Sequence, residues 1–188
     1  MLSFLYKKFV RRTLLTLIVI SSLISFYYNI QSQFFLWTII ALGVVSIIFV
    51  MYEIAPIFLL IFSSFTVSYS LYGLLFQMQT PIWAIMLIIL LIFGYIFLYT
   101  EQRIGILGDK RLIYLVLFSL IILEIFLTLN YFLISPISKS LIISIISYVF
   151  VGFAYTVLAQ HKDNLFRTYL LFAVGSVALI LATSVWGI

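Results

Sequence analysis

Seven long apolar segments follow one another along the chain, separated by short polar turns. They cover residues 12–30, 33–52, 55–77, 80–99, 111–133, 137–159 and 166–187. A hydrocarbon core roughly 30 Å thick needs about 20 mainly apolar residues at helical rise, and lipid offers no hydrogen-bond partner to a non-helical backbone. The pattern therefore predicts an all-α, polytopic integral membrane protein that forms a compact bundle of seven transmembrane helices.

Composition agrees with this prediction. Of the 188 residues, 66% are hydrophobic and 8% are charged, whereas soluble domains have roughly 45–50% apolar and 25% charged residues. Because the turns are short, no length remains for a soluble domain. We therefore expect residues 1–188 to form a single transmembrane domain.

The basic residues predict how the bundle is oriented. With a cytoplasmic N-terminus, Lys139 alone lies outside, as the positive-inside rule requires. The basic residues then placed on the inner side are Lys7, Lys8, Arg11, Arg12, Arg103, Lys110, Arg111, Lys162 and Arg167. Trp37, Trp83 and Trp186 fall at the outer interface, where aromatic belts occur. We expect the C-terminus outside, and a multi-pass protein of the plasma or inner membrane.

Several classes of function lack their usual residues. The chain has no cysteine and one histidine, so thiolate, Fe–S and multi-histidine metal sites are not expected, and no cofactor is predicted. Basic residues at span ends, without interleaved aromatics, argue against nucleic-acid binding. A retinal Schiff base is not expected because Lys139 and Lys162 are placed in turns. No motif for hydrolysis is present, and the chain is not expected to be an enzyme.

Glu124 is the most unusual residue, since it lies well inside the fifth segment. A carboxyl at that depth is costly unless it is neutral, hydrogen-bonded or hydrated. Thr128 shares its helical face at the i+4 position. Other polar side chains fall at a similar depth, and the candidate substrate-binding or ion-binding residues beside Glu124 are Thr128, Tyr69, Ser70, Ser147 and Tyr148. The alternative is that Glu124 only locks helices together through a hydrogen bond.

The longest connection, residues 101–111, is rich in glycine and basic residues. Arg103, Lys110 and Arg111 are its candidate ligands for a lipid headgroup. Topological charge is the simpler explanation of the same residues. Glu53, in the turn between the second and third segments, is expected to be solvated.

These patterns favour a non-catalytic membrane protein that acts as a subunit, scaffold or modulator of a membrane complex. Its expected partners are the lipid bilayer and other membrane-protein subunits or further copies of the chain. One alternative is a small transporter or channel that uses Glu124 for a proton, an ion or a small polar solute. A second alternative is a lipid-binding membrane protein.

Overall fold

The computed structural model describes residues 2–29, 33–104, 111–158, 170, 171, 173–178 and 180. Six complete helices are present: α1 (Leu2–Asn29), α2 (Gln33–Tyr52), α3 (Pro56–Gln77), α4 (Ile82–Ile104), α5 (Arg111–Asn130) and α6 (Pro136–Leu158). The described residues between 170 and 180 are helical as well and belong to a seventh helix. The predicted all-α chain of seven helices is therefore confirmed.

Two helices are longer than their apolar segments. Helix α1 begins at Leu2 and carries the basic residues before the apolar run, because no proline or glycine interrupts it. Helix α4 continues to Ile104 rather than ending near residue 99. Its last turn contains Glu101, Gln102 and Arg103, which are good helix formers despite their polarity. This extension carries charged groups past the apolar part of the bundle.

Among the residues that the structure describes, five helices are long and apolar enough to cross a membrane. They are Val10–Tyr28, Pro56–Gln77, Ile82–Ile104, Arg111–Asn130 and Pro136–Thr156. A further apolar helix, Leu36–Tyr52, is shorter. Length and composition therefore indicate a membrane-spanning protein, as the apolar segments predicted.

The two ends of the bundle differ in chemistry. Successive helices alternate in direction, so the start of α1, the end of α4 and the start of α5 share one end. We call this the arginine end, after Arg11, Arg12, Arg103 and Arg111. The opposite end carries Trp37 and Trp83, which are both 68% exposed, and we call it the tryptophan end.

Helix α3 occupies the centre of the bundle. It packs against α1, α2, α4 and α6, and its interface with α6 is the most extensive one. Proline at its first turn suits helix entry, because the nitrogen that lacks a hydrogen needs no partner there. Ser63, Ser64, Thr66 and Ser68 are all buried along it. Among the described candidate spans, the helix that carries these hydroxyls is thus the most enclosed.

Contacts between aromatic rings join α4, α5 and α6. Phe97 on α4, Phe118 on α5 and Phe150 on α6 contact one another, with ring centroids 4.9 to 5.9 Å apart. Gly94 allows a close approach of α4 to α5, since an added Cβ would lie 3.3 Å from the Ser119 hydroxyl. These contacts set the rotation of α5 and therefore decide which of its residues face outward.

Candidate functional site

Glu53 is the centre of an ionic network at the arginine end. It lies in the turn between α2 and α3, and its side chain is 12% exposed. Arg12 on α1 donates to its Oε1 from Nε at 2.8 Å, and the Arg12 terminal nitrogen lies 2.6 Å from the same oxygen. Arg103 on α4 forms a second ion pair with it. The expectation that Glu53 is simply solvated is wrong, because two guanidinium groups enclose its carboxylate.

A second ion pair joins α4 to α5. Glu101 is 8% exposed, and its Oε2 lies 2.8 Å from Nε of Arg111. The residues expected to hold a lipid headgroup are therefore engaged within the chain: Arg103 pairs with Glu53, and Arg111 pairs with Glu101. Lys110 lies outside the described residues. Whether these residues bind a headgroup stays a prediction.

Arg11 also belongs to the network, but it forms no ion pair with a carboxylate of the described residues. Its guanidinium donates to the Gln102 side-chain oxygen and lies 6.0 Å from the Tyr99 ring centroid. Arg103 lies 5.8 Å from the same ring. The Tyr95 hydroxyl donates to the Arg11 carbonyl at 2.6 Å, which joins α4 to α1.

The described charges of this network do not balance. The four arginines are Arg11, Arg12, Arg103 and Arg111, and the two carboxylates are Glu53 and Glu101. Two positive charges therefore remain in excess. An excess of positive charge held by rigid helix ends attracts anions, and partial burial reduces the screening by salt.

A groove between α1 and α2 opens beside this network. It has a volume of about 320 Å³. The residues that line it are Arg12, Thr13, Thr16, Leu17, Ile47 and Met51. We call it the Arg12 groove. Its polar lining lies toward the arginine end, and Leu17 and Ile47 line it further along the two helices.

Glu124 lies on the outside of the bundle. The buried face of α5 is formed by Phe118, Ser119, Ile122, Leu123, Phe126 and Leu129. At 3.6 residues per turn, Glu124 is about 180° around the helix from the centre of that face. Its side chain is accordingly exposed, and the carboxyl makes no hydrogen bond or ion pair with the described part of the chain. The Thr128 hydroxyl, also exposed, donates to the Glu124 backbone carbonyl at 2.8 Å.

The neighbours of Glu124 on this surface are apolar. Residues at three-residue and four-residue spacing form one exposed strip on α5: Ile113, Leu117, Leu120, Glu124 and Thr128. We call it the Glu124 face. An ionisable group thus lies in the middle of a surface that is otherwise suited to lipid or to another helix.

The structure does not bring Glu124 together with the polar residues expected beside it. Tyr69 is buried in an apolar cluster, with its ring centroid 4.2 Å from that of Phe26. Ser70 is buried between α3 and α1, where its hydroxyl donates to the Ser22 carbonyl at 3.0 Å. The described residues therefore do not form the expected hydrophilic seam around Glu124, although ion or substrate binding by Glu124 stays a prediction.

The two expected residues on α6 also lie apart from Glu124. Ser147 is buried and donates to the Ile143 carbonyl at 2.9 Å. Tyr148 lines a cavity of about 310 Å³ between α3, α4 and α6. The other lining residues of that cavity are Ile57, Ile104, Val151, Gly152 and Tyr155. Its walls are mainly apolar, and Glu124 does not contribute to them.

Most buried hydroxyls already have a partner in their own helix. Ser68 donates to the Ser64 carbonyl at 2.7 Å, and Ser144 donates to the Ser140 carbonyl at 2.9 Å. Such bonds use the only hydrogen that a hydroxyl can donate. Two contacts instead cross between α1 and α3: the Ser22 hydroxyl donates to that of Thr66 at 3.0 Å, and the Ser70 hydroxyl lies 3.0 Å from the Ser22 carbonyl. These bonded hydroxyls therefore have partners in the protein and do not line an open polar path.

We compared the chain with protein-family models, with curated proteins and with solved structures. None of the three comparisons finds a match. Functional inference therefore depends on the geometry of the described residues. Among these residues, no group of three or more His, Cys, Asp or Glu side chains is placed to hold a metal ion.

Lys139 differs from its expected place. It lies in the first turn of α6, not in the preceding turn, and is 3% exposed. Its ammonium lies 5.4 Å from the Tyr72 ring centroid and 5.2 Å from that of Phe76, so two aromatic rings take the place of a carboxylate. The argument against a Schiff base that placed this lysine outside the helices is therefore wrong.

One feature of the sequence could have predicted the ionic network around Glu53. Glu53 is an acidic residue on the side of the protein where basic residues are concentrated. Arg12 and Arg103 lie at that same end on two other helices, so pairing was a natural expectation. Periodicity within a single helix does not reveal such pairs, because the partners are 41 or more residues apart.

Proposed function

We propose that this protein is a non-catalytic subunit of a membrane complex, and that the Glu124 face of α5 binds another membrane protein. The proposal places the protein in the plasma or inner membrane with the arginine end in the cytoplasm, as the positive-inside rule requires. The observation that carries it is the outward direction of Glu124 on an apolar surface.

The depth of Glu124 makes exposure to lipid costly. It follows Arg111 by 13 residues, which corresponds to about 20 Å at helical rise. A charged side chain at the centre of a bilayer costs roughly 2.5–3.5 kcal/mol on insertion scales. A neighbouring helix that donates a hydrogen bond or brings a cation to this carboxyl would offset the cost. Binding to such a helix therefore gives Glu124 a partner that the described part of its own chain does not supply.

Charge complementarity favours a different protein over a second copy. The described basic residues of this chain lie at the arginine end, apart from Lys139, which is enclosed near the tryptophan end. A second copy packed through the same strip would bring apolar residues or another carboxyl against Glu124. We therefore propose a partner whose transmembrane helix carries Lys, Arg or another donor at this depth.

Photo-crosslinking in native membranes tests the proposal. A photoreactive amino acid replaces Leu120 on the Glu124 face, and the control replaces Leu91, which is 65% exposed on α4. We expect one discrete adduct from position 120 and none of the same mass from position 91. Glu124→Leu should abolish this adduct, whereas Thr128→Val should reduce it less, because the Thr128 hydroxyl is occupied by the Glu124 carbonyl.

Three outcomes would contradict the proposal. The first is the same adduct from both positions, and the second is an adduct of twice the mass of the chain, which would identify a second copy as the occupant. The third comes from the purified chain alone in liposomes: ion flux or substrate turnover that Glu124→Gln alters would favour the transporter alternative.

A further inference from the structure

We propose that the Arg12 groove binds one anionic phospholipid, with the phosphate beside Arg12 and the start of an acyl chain between Leu17 and Ile47. The site is separate from the Glu124 face and does not depend on the function proposed for that face. It also differs from the headgroup site expected at Arg103, Lys110 and Arg111, since the groove is lined by α1 and α2.

The lining of the groove changes from polar to apolar along its length, as a phospholipid changes from its headgroup to its acyl chains. Arg12 and Thr13 come first on α1, nearest the arginine end, and Leu17 follows slightly more than one turn later. On α2 the order is reversed, so Met51 lies near the arginine end and Ile47 lies deeper. A polar opening therefore leads to an apolar interior, which fits an amphiphile with a charged head better than a free small anion.

Two observations indicate that the charged part of the ligand is an anion. The described contacts of Arg12 all go to one oxygen of Glu53, and a guanidinium has five donors in a fixed plane. Among the described residues, the network around it has two more arginines than carboxylates, and Glu53 is already shared with Arg103. Arginine suits a phosphodiester because its donors match two phosphate oxygens at once.

Thr16 gives the site a polar contact deeper in the groove. It is half-buried and lines the groove one turn after Arg12. Its hydroxyl has no hydrogen-bond partner among the described residues, in contrast to the hydroxyls of Ser68 and Ser144. The glycerol ester oxygens of a phospholipid lie just below the phosphate, and an ester carbonyl can accept a hydrogen bond from this hydroxyl.

Native mass spectrometry of the full chain from mixed-lipid nanodiscs tests the site. The nanodiscs contain equal amounts of phosphatidylglycerol and phosphatidylcholine. We expect one phosphatidylglycerol molecule to stay bound in preference to phosphatidylcholine. A basic residue near a membrane surface contributes about a fivefold gain in affinity for anionic lipid, so Arg12→Gln should lower retention by about that factor. Arg12→Lys, which keeps the charge, should retain most of it.

A second variant covers the case in which Arg12→Gln does not fold. Thr16→Val keeps the side-chain shape and should lower retention roughly two- to tenfold, as loss of one hydrogen bond predicts. Thr128→Val is the matched control on α5 and should not change retention. Equal retention of the two lipids, unchanged retention by folded Arg12→Gln or by Thr16→Val, or displacement of the lipid by millimolar inorganic phosphate would each overturn the proposal.

Discussion

The Tyr72 hydroxyl on α3 donates to the Phe126 carbonyl on α5 at 3.2 Å, and the two rings stack with centroids 4.2 Å apart. This pair fixes the rotation of α5 against the central helix. Glu124 precedes Phe126 by two residues, which is about 200° around the helix. A contact that turns Phe126 inward therefore turns Glu124 outward.

Removal of this hydrogen bond should weaken the bundle measurably. Tyr72→Phe keeps the stacked ring and deletes only the hydroxyl. Hydrogen bonds between membrane helices contribute about 0.6 kcal/mol on average and up to about 1.7 kcal/mol, and we expect a loss of free energy of unfolding within that range. Unfolding of the purified protein in detergent measures it. Tyr131→Phe is the control, because that side chain is 87% exposed, and an equal loss in both variants would contradict the role of the bond.

The two glutamates at Glu53 and Glu124 should respond differently to the same substitution. Glu53→Gln removes the charge that Arg12 and Arg103 share, and we expect a loss of about 1–2 kcal/mol in free energy of unfolding, since the pairs are partly exposed to solvent. Glu124→Gln should change the stability of the isolated chain by less than about 0.5 kcal/mol, as surface substitutions do.

Chemical unfolding of both variants in the same detergent provides the comparison. A larger loss for Glu124→Gln than for Glu53→Gln would show that the ionic network at the arginine end does not stabilise the helix ends. It would also show that Glu124 has a partner within the chain.

Gly43 should be sensitive to added volume because α1 and α2 approach closely there. A Cβ at Gly43 would overlap the Leu23 side chain, with Cγ at 3.3 Å. Gly43→Val should lower the free energy of unfolding by about 1–3 kcal/mol through overpacking. Gly175→Val is the matched control in the seventh helix, where no atom of the described residues lies within 4 Å of an added Cβ. Thermal denaturation in detergent should show a lower midpoint for Gly43→Val only, and equal midpoints would contradict the close approach.

The positions of the helices could be predicted from the sequence, but their rotations could not. An apolar segment of about 20 residues must form a helix in lipid. The six helices α1 to α6 therefore lie close to the predicted segments. The rotation of α5 could not be predicted, because this helix carries apolar residues on all sides and no helical periodicity distinguishes its buried face. The sequence therefore did not indicate that Glu124 faces outward on α5.

The candidate sites depended on contacts between distant parts of the chain. Arg12 meets Glu53 across 41 residues, and Tyr95 meets Arg11 across 84. Such pairs follow from how helices pack, which a single sequence does not reveal. The hydrogen-bond partners of the buried hydroxyls could not be predicted either. Each hydroxyl could have faced a polar pathway or the backbone of its own helix. The hydroxyls of Ser68, Ser144 and Ser147 donate to the backbone.

The central place of α3 has a consequence for biogenesis. Its largest interface is with α6, which the ribosome makes about 80 residues later, or several seconds at ordinary rates of synthesis. During that interval, the surface of α3 that α6 will cover is exposed to lipid. A nascent chain that stops before α6 therefore leaves the central helix without its largest protein contact.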